Sequence, residues 1–279
     1  MKRKVKTKVK GFRTTDGAGV KLVRVLGNLT TKEFDPILML DSFDSINPDD
    51  YTAGFPMHPH RGIETISYVS RGKMVHRDSL GNEAGISDGE VQWMNSGSGI
   101  MHEEMVPAAE RLLGVQLWLN LPAKDKMSKP SYNSIKNEDR KEIEIEGGKI
   151  RLLAGKYGEH EGYKGDYLSM DYYDIHLNAD AEVTLTMEED DSVMVFTLLG
   201  DVYIDGEHIE EKTAVKLTEG DSLTIKNGNE KAQVLYMNSR ALNEPVAWAG
   251  PIVMNTQEEL QKAFLELRSN TFIKETAEY

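Results

Sequence analysis

Ile66-Ser67-Tyr68-Val69-Ser70-Arg71-Gly72 is a β-type run that stops at a glycine, and Asp88-Gly89-Glu90-Val91 restarts the pattern 17 residues after that glycine. The arrangement returns in Val193-Met194-Val195-Phe196-Thr197-Leu198-Leu199-Gly200, followed by Glu219-Gly220-Asp221-Ser222, with 20 residues between the glycines. In both places a strand ends at Gly, a hairpin follows, and an acidic-Gly turn opens the next strand. The repetition predicts a duplicated β domain. Further short runs surround these segments, at Ile63–Val69, Glu90–Met94, Leu112–Leu119, Ser192–Leu199, Ser222–Ile225 and Gln233–Met237. Turn signals such as Asp205-Gly206 and Asn227-Gly228 punctuate them. Short strands with regular turn chemistry indicate an all-β barrel or sandwich. Pro122–Gly148 is polar and reads as the linker, which sets the expected division at residues 1–135 and 136–279.

One segment is helical. Thr256 stands as N-cap with Glu259 three residues on, a capping box. Leu260, Ala263, Phe264 and Leu267 then make one apolar face, which predicts a helix over residues 256–268 docked on a barrel wall. At the other end, Lys4, Lys6, Lys8 and Lys10 alternate with Val5, Thr7 and Val9, the period of a strand with one solvated face. Lysine on an edge strand also discourages unwanted pairing.

Composition removes several classes of function. The 279 residues include no cysteine, so disulfides, Cys-bound zinc or iron–sulfur clusters and thiol catalysis are excluded, and any metal falls to His, Asp or Glu. Residues 1–135 carry net charge +2 and residues 136–279 carry −15, which disfavours direct nucleic-acid binding by the second half. No apolar run reaches about 18 residues, so no membrane span is expected. The basic start lacks the apolar core of a secretory signal, and a cytoplasmic chain is the expectation.

The chemistry-bearing residues cluster. Of seven histidines, three fall in His58-Pro59-His60-Arg61-Gly62-Ile63-Glu64 and Gly97-Ser98-Gly99-Ile100-Met101-His102-Glu103-Glu104. Residues two apart on a strand share a face, so His58 and His60 can aim together into a barrel, as can His102 and Glu104. Three imidazoles and one carboxylate suit a divalent transition metal, and open coordination positions would admit substrate and dioxygen. Glu64 fits three roles: a ligand, an acceptor behind the ligands, or a partner of Arg61. His76, His160, His176 and His208 read as surface or structural residues. Phe55, Met57, Trp93, Met94 and Met101 are candidates for an aromatic pocket, although core packing explains at least half of them. The turn-rich Asp44–Ala53 is a candidate lip beside the site.

Taken together, these motifs resemble a known family. F-P-x-H-P-H-R-G-x-E-T at Phe55–Thr65 and Q-W-M-x-x-G-x-G-I-x-H-x-E at Gln92–Glu104 are similar to the signatures of the pirin family of cupins. Leu117-Trp118-Leu119-Asn120-Leu121 resembles the strand that follows in pirins, and Gly250–Thr256 resembles their motif before the C-terminal helix. The resemblance implies two cupin (double-stranded β-helix) barrels with the C-terminal helix packed back. It implies iron in the N-terminal barrel, as Fe(II) with other divalent transition metals open, held by His58, His60, His102 and Glu104, with Glu64 not a ligand. Family members are described as quercetin 2,3-dioxygenases, which implies a small flavonol-like aromatic substrate, O2, and Glu104 as the base. Some eukaryotic members are described as nuclear co-regulators of transcription. That implies the alternative of a metal-dependent regulatory protein with a protein partner, nuclear if eukaryotic. The family tends to be monomeric. Aligning the two repeats on Gly72 with Gly200 and Gly89 with Gly220 sets Thr186, Glu188, Gln233 and Leu235 opposite His58, His60, His102 and Glu104. The second barrel is therefore expected to bind no metal.

Overall fold

A computed structural model of the chain describes residues 1–275. The chain divides into two compact units, each assembled from non-contiguous pieces. One comprises Met1–Phe12, Lys32–Pro36 and Asn137–Ala241; the other comprises Arg13–Thr31, Ile37–Lys136 and the chain from Leu242 onward. Both are antiparallel β structures in which a seven-stranded sheet accompanies a four-stranded one, the duplicated cupin architecture. Among the described residues no helix is long and apolar enough to cross a membrane.

The barrel built mainly from the N-terminal half orders its larger sheet Ser131–Ile135, Glu90–Asn95, Ile63–Arg71, Leu112–Asn120, Ile37–Ser45, Val20–Leu26 and Phe12–Asp16. Its smaller sheet runs Phe55–His60, Ile100–Met105, Lys73–Asp78 and Glu83–Ser87. Central strands are buried on both faces: Leu112–Asn120 is buried throughout, and Ile63–Arg71 in all but its last residue. Burial on both faces leaves no clean alternation of polar and apolar residues, so these strands read as continuous runs.

The other barrel repeats the plan. Val5–Lys10, Thr213–Leu217, Ser192–Leu199, Ala232–Ser239, Met170–Leu177, Gly148–Ala154 and Lys141–Ile145 form the large sheet, and Glu182–Thr186, Ser222–Asn227, Val202–Ile204 and Glu207–Ile209 the small one. Its interior is apolar, with Tyr173, Val195, Val215, Ile225 and Tyr236 in one buried cluster.

The division differs from a single cut at residue 135. Val5–Lys10 is the edge strand of the C-terminal barrel, where Val5, Thr7 and Val9 are half-buried and the lysines point outward. Lys6 and Lys10 pair with Glu33 and Glu210 at 3.1 and 2.5 Å, and Lys8 pairs with Glu207. The helix Gln257–Arg268 belongs to the other unit. It carries the capping box from Thr256 and Glu259, buries Leu260 and Ala263, and packs on Ala247, Ile252 and Met254. The linker is also shorter than its polar composition predicts. Ser131–Ile135 pairs with Glu90–Asn95, and Lys141–Ile145 pairs with Gly148–Ala154, because backbone hydrogen bonding rather than side-chain burial holds these edge strands.

Strand pairing also corrects the alignment of the repeats. Gln233 and Leu235 lie on Ala232–Ser239, whose neighbours make it the counterpart of Leu112–Asn120. The counterpart of Ile100–Met105 is Ser222–Asn227, so Gly220 stands where Gly99 does. Unequal hairpin lengths shifted the match by one strand.

Candidate metal centre

Phe55–His60 and Ile100–Met105 are antiparallel neighbours, with His102 directly opposite His58 and His60 opposite Ile100. That register and the two-residue spacing bring three imidazoles together. Ring centroids are 4.8 Å apart for His58 and His60, 4.4 Å for His58 and His102, and 5.0 Å for His60 and His102. One nitrogen from each lies within 4.8 Å of the others. His60 and His102 are buried and His58 is partly buried.

The hydrogen bonds assign the nitrogens. His58 Nδ1 is 2.8 Å from the Pro56 carbonyl and His60 Nδ1 is 3.0 Å from the Pro251 carbonyl. A carbonyl only accepts, so both Nδ1 atoms carry the proton and both Nε2 atoms carry a lone pair. Those two Nε2 atoms are 3.0 Å apart. His102 Nε2 is buried without a hydrogen-bond partner. Burial, with His58 as a neighbour, lowers His60 to about 3, and burial followed by His60, His58 and His76 takes His102 well below the ordinary value. His60 and His102 are therefore neutral at pH 7. Lone pairs facing each other at this distance repel unless a cation lies among them. Three converging imidazoles, two of them with carbonyl outer partners, are the donor set of a divalent transition metal, and the residues fit such an ion.

Glu104 is buried on the same strand as His102, but it lies outside the imidazole group and faces a polar row on the larger sheet. Gln116, Ser67 and Gln92 are directly opposite one another on three adjacent strands. Gln92 Nε2 donates to Glu104 Oε1, Gln116 Nε2 donates to Oε2 at 2.8 Å, and Ser67 Oγ lies 3.4 Å from Oε1. Glu103 points away toward Arg77, 3.7 Å off. Glu64 is buried opposite Leu119 and Asn95, outside the imidazole group.

His76 differs from the sequence reading. It is fully buried, its Nδ1 is 3.3 Å from His102 Nδ1, its Nε2 is 2.8 Å from Asp78 Oδ2, and its ring stacks on Tyr132 with centroids 4.1 Å apart. His76-Arg77-Asp78 repeats the two-residue spacing of the other motifs, and that was the available signal. Gln92, Gln116 and Ser67 gave none, because their roles follow from cross-strand register.

A cavity of about 630 Å³ opens beside His58 and His60, within the usual range for small-molecule sites. Its apolar walls are Met39, Phe55, Trp118 and Trp248, and Gln116 reaches it from the polar row. Of the five expected pocket residues, Phe55 lines it. Trp93 and Met94 are buried away from it, Met57 is exposed at the surface, and Met101 is half-buried. The Asp44–Ala53 segment is pinned: Asn47 caps the short 3-10 turn Pro48–Asp50, and the Tyr51 hydroxyl donates to the Ala109 carbonyl at 3.0 Å.

The C-terminal segment braces this site from behind. The Arg61 guanidinium, beside His60, donates to the Ser98 and Phe272 carbonyls at 2.8 and 2.9 Å, pairs with Glu266 at 2.8 Å, and lies over the Phe272 ring. Lys126 Nζ donates to Gly62 O at 2.7 Å, Asn120 Oδ1 at 2.5 Å and Val253 O at 3.2 Å.

Comparison with known proteins identifies the family. The Pirin model matches residues 19–119, and the Pirin C-terminal cupin domain model matches residues 172–273. A Pseudomonas aeruginosa protein, provisionally named a quercetin 2,3-dioxygenase, is 39% identical over 92% of this chain and 94% of its own length. The chain belongs to the pirin family. A pirin-like protein of Caulobacter vibrioides is 38% identical over 95% of this chain and 97% of its own. The crystal structure of a quercetin 2,3-dioxygenase from Acinetobacter baumannii superposes with TM-score 0.89 at 29% identity, covering 98% of this chain and 99% of that one. His58, His60 and His102, from the two motifs that resemble the pirin signatures, are the imidazoles that converge here.

Proposed function

We propose that this pirin binds one divalent transition metal, Fe(II) in the cell, through His58, His60, His102 and Glu104, and cleaves flavonols with O2 as a quercetin 2,3-dioxygenase. The observation that carries the reading is the convergence of three imidazoles, two of which line an aromatic-walled cavity and have their Nδ1 atoms on carbonyls. The metal, when bound, would supply a Lewis acid for the hydroxyl and neighbouring carbonyl of a flavonol. Trp118, Trp248 and Phe55 stack against the flat rings and exclude water. Glu104 takes the substrate hydroxyl proton, and Gln92 and Gln116 orient its two oxygens for that step. Gln116 touches both the cavity and Glu104, and so couples occupancy to the position of the base. Names of relatives support the reading, as does the family's described activity. The expected state is a cytoplasmic monomer.

The test is aerobic turnover by Fe(II)-loaded protein over a panel of flavonols, followed by flavonol loss, O2 uptake and carbon monoxide release in equal amounts. A fully loaded protein that turns over none of them overturns the dioxygenase assignment.

A further inference from the structure

Each of the three imidazoles has its outer nitrogen occupied, but not by the same kind of group. His58 and His60 face carbonyls, whose direction is fixed by chemistry. His102 faces His76, an imidazole that can either accept or donate. Something must therefore set the direction of the His76–His102 contact. Asp78 is placed to do so: it is directly opposite His102 in the strand register, and no part of its side chain is exposed. Asp78 Oδ1 accepts from the backbone N–H groups of Leu80 and Asn82 at 2.9 and 3.1 Å. Asp78 Oδ2 accepts from Asn82 Nδ2 at 2.9 Å and faces His76 Nε2 at 2.8 Å.

We propose that Asp78, acting through His76, sets the tautomer of His102 so that its Nε2 lone pair is presented to the metal. Asp78 accepts the proton of His76 Nε2. His76 Nδ1 is then a lone pair and accepts from His102 Nδ1–H. The remaining nitrogen of His102, the buried and unpartnered Nε2, is left bare. Tyr132, stacked on His76, holds the ring in plane for both bonds. Asp78 and His76 are positioning residues, two and one hydrogen bonds behind the ligand. Outer partners of this kind typically change metal affinity about 10–100-fold. The functional meaning rests on the metal reading above, whereas the tautomer itself does not.

Asp78→Asn is a nearly isosteric inversion. The amide oxygen keeps the place facing the two backbone N–H groups, so the NH2 replaces Oδ2, donates to His76 Nε2, and meets Asn82 once that amide turns its own oxygen toward it. His76 must then carry its proton on Nδ1, and His102 on Nε2. Long-range 1H–15N correlation of histidine-labelled, metal-free protein at neutral pH reads these protons directly. In the wild type His102 is expected as the Nδ1–H form and His76 as the Nε2–H form. In Asp78→Asn both invert, and Fe(II) affinity by chelator competition falls about 10–100-fold, while His160→Ala changes neither. The wild-type spectrum alone decides the direction, even if the variant folds poorly. His102 protonated on Nε2, a doubly protonated His76, or an unchanged His102 in Asp78→Asn overturns the proposal, as does inversion without loss of affinity. A wild type that takes up no metal overturns the metal reading instead and leaves the tautomer result standing.

Discussion

Leu185 and Leu223 are directly opposite each other on the small sheet of the C-terminal barrel and buried in its apolar interior, whereas His58 and His102 are the inward pair directly opposite each other on the small sheet of the other barrel. The next inward pair is Val183 and Ile225, so the C-terminal barrel has aliphatic side chains where the other has imidazoles and the Glu104 carboxylate. Aliphatic side chains do not hold a transition metal. Among the described residues the imidazole group is the single metal-competent cluster. Metal analysis after dialysis is expected to give about one ion per chain, since tight binding needs a full ligand set. The His58→Ala, His60→Ala double variant is expected to hold none. A ratio near two, or metal retained in that variant, would place a site in the second barrel.

Glu104 sits among donors, so its charge matters more than its volume. Glu104→Gln turns an amide NH2 toward Gln92 or Gln116, and the donor–donor conflict is expected to cost about 1–3 kcal/mol of stability. Metal affinity is expected to fall by more than the about 10–100-fold typical of losing an outer partner. Denaturant unfolding and chelator competition measure the two effects. Unchanged metal binding would remove Glu104 from the ligand set.

Lys126 is a buried ammonium with three acceptors. Burial lowers it to about 7 from an ordinary 10.5. Between those values the unfolded chain binds more protons than the folded one, so this group makes stability rise as pH increases from about 7 to 10.5. Lys126→Met is expected to flatten that rise. It strands two backbone carbonyls and Asn120, at a cost of about 2–4 kcal/mol at neutral pH. Unfolding curves across the pH range check both effects.

Gly62 has φ +78°, and a Cβ there would meet Val253 O at 2.0 Å and Lys126 Cδ at 2.9 Å. Gly62→Ala adds left-handed strain of about 1–3 kcal/mol to a backbone collision beside His60. A drop in melting temperature together with weakened metal retention is expected. A variant as stable as wild type would mean that the Val253 strand yields freely.

The H-x-H and H-x-E spacings revealed the imidazoles because strand periodicity is local, and the capping box at Thr256 revealed the helix for the same reason. The Gln116–Ser67–Gln92 row was hidden, since adjacency there comes from pairing across three strands. His76 looked ordinary because its partners, Asp78 aside, are His102 and Tyr132, far along the chain. Trp118 and Trp248 meet in one wall although 130 positions separate them, with ring centroids 5.5 Å apart. The second barrel misled in a different way. Its short Val202–Ile204 and Glu207–Ile209 hairpin displaced the glycine landmarks by a strand.

The interleaving of the two units has a consequence for synthesis on the ribosome. Val5–Lys10 leaves the exit tunnel long before its neighbour in the sheet, Thr213–Leu217, so it must wait unpaired while the chain between them is made. The lysines on its exposed side keep that waiting edge soluble. The histidine barrel, whose strands precede the C-terminal barrel in the chain, gains the Pro251 carbonyl against His60 and the Phe272 carbonyl on Arg61 only after that second barrel has been made. A gene cut after codon 135 would therefore yield two fragments, each lacking a piece that the other encodes.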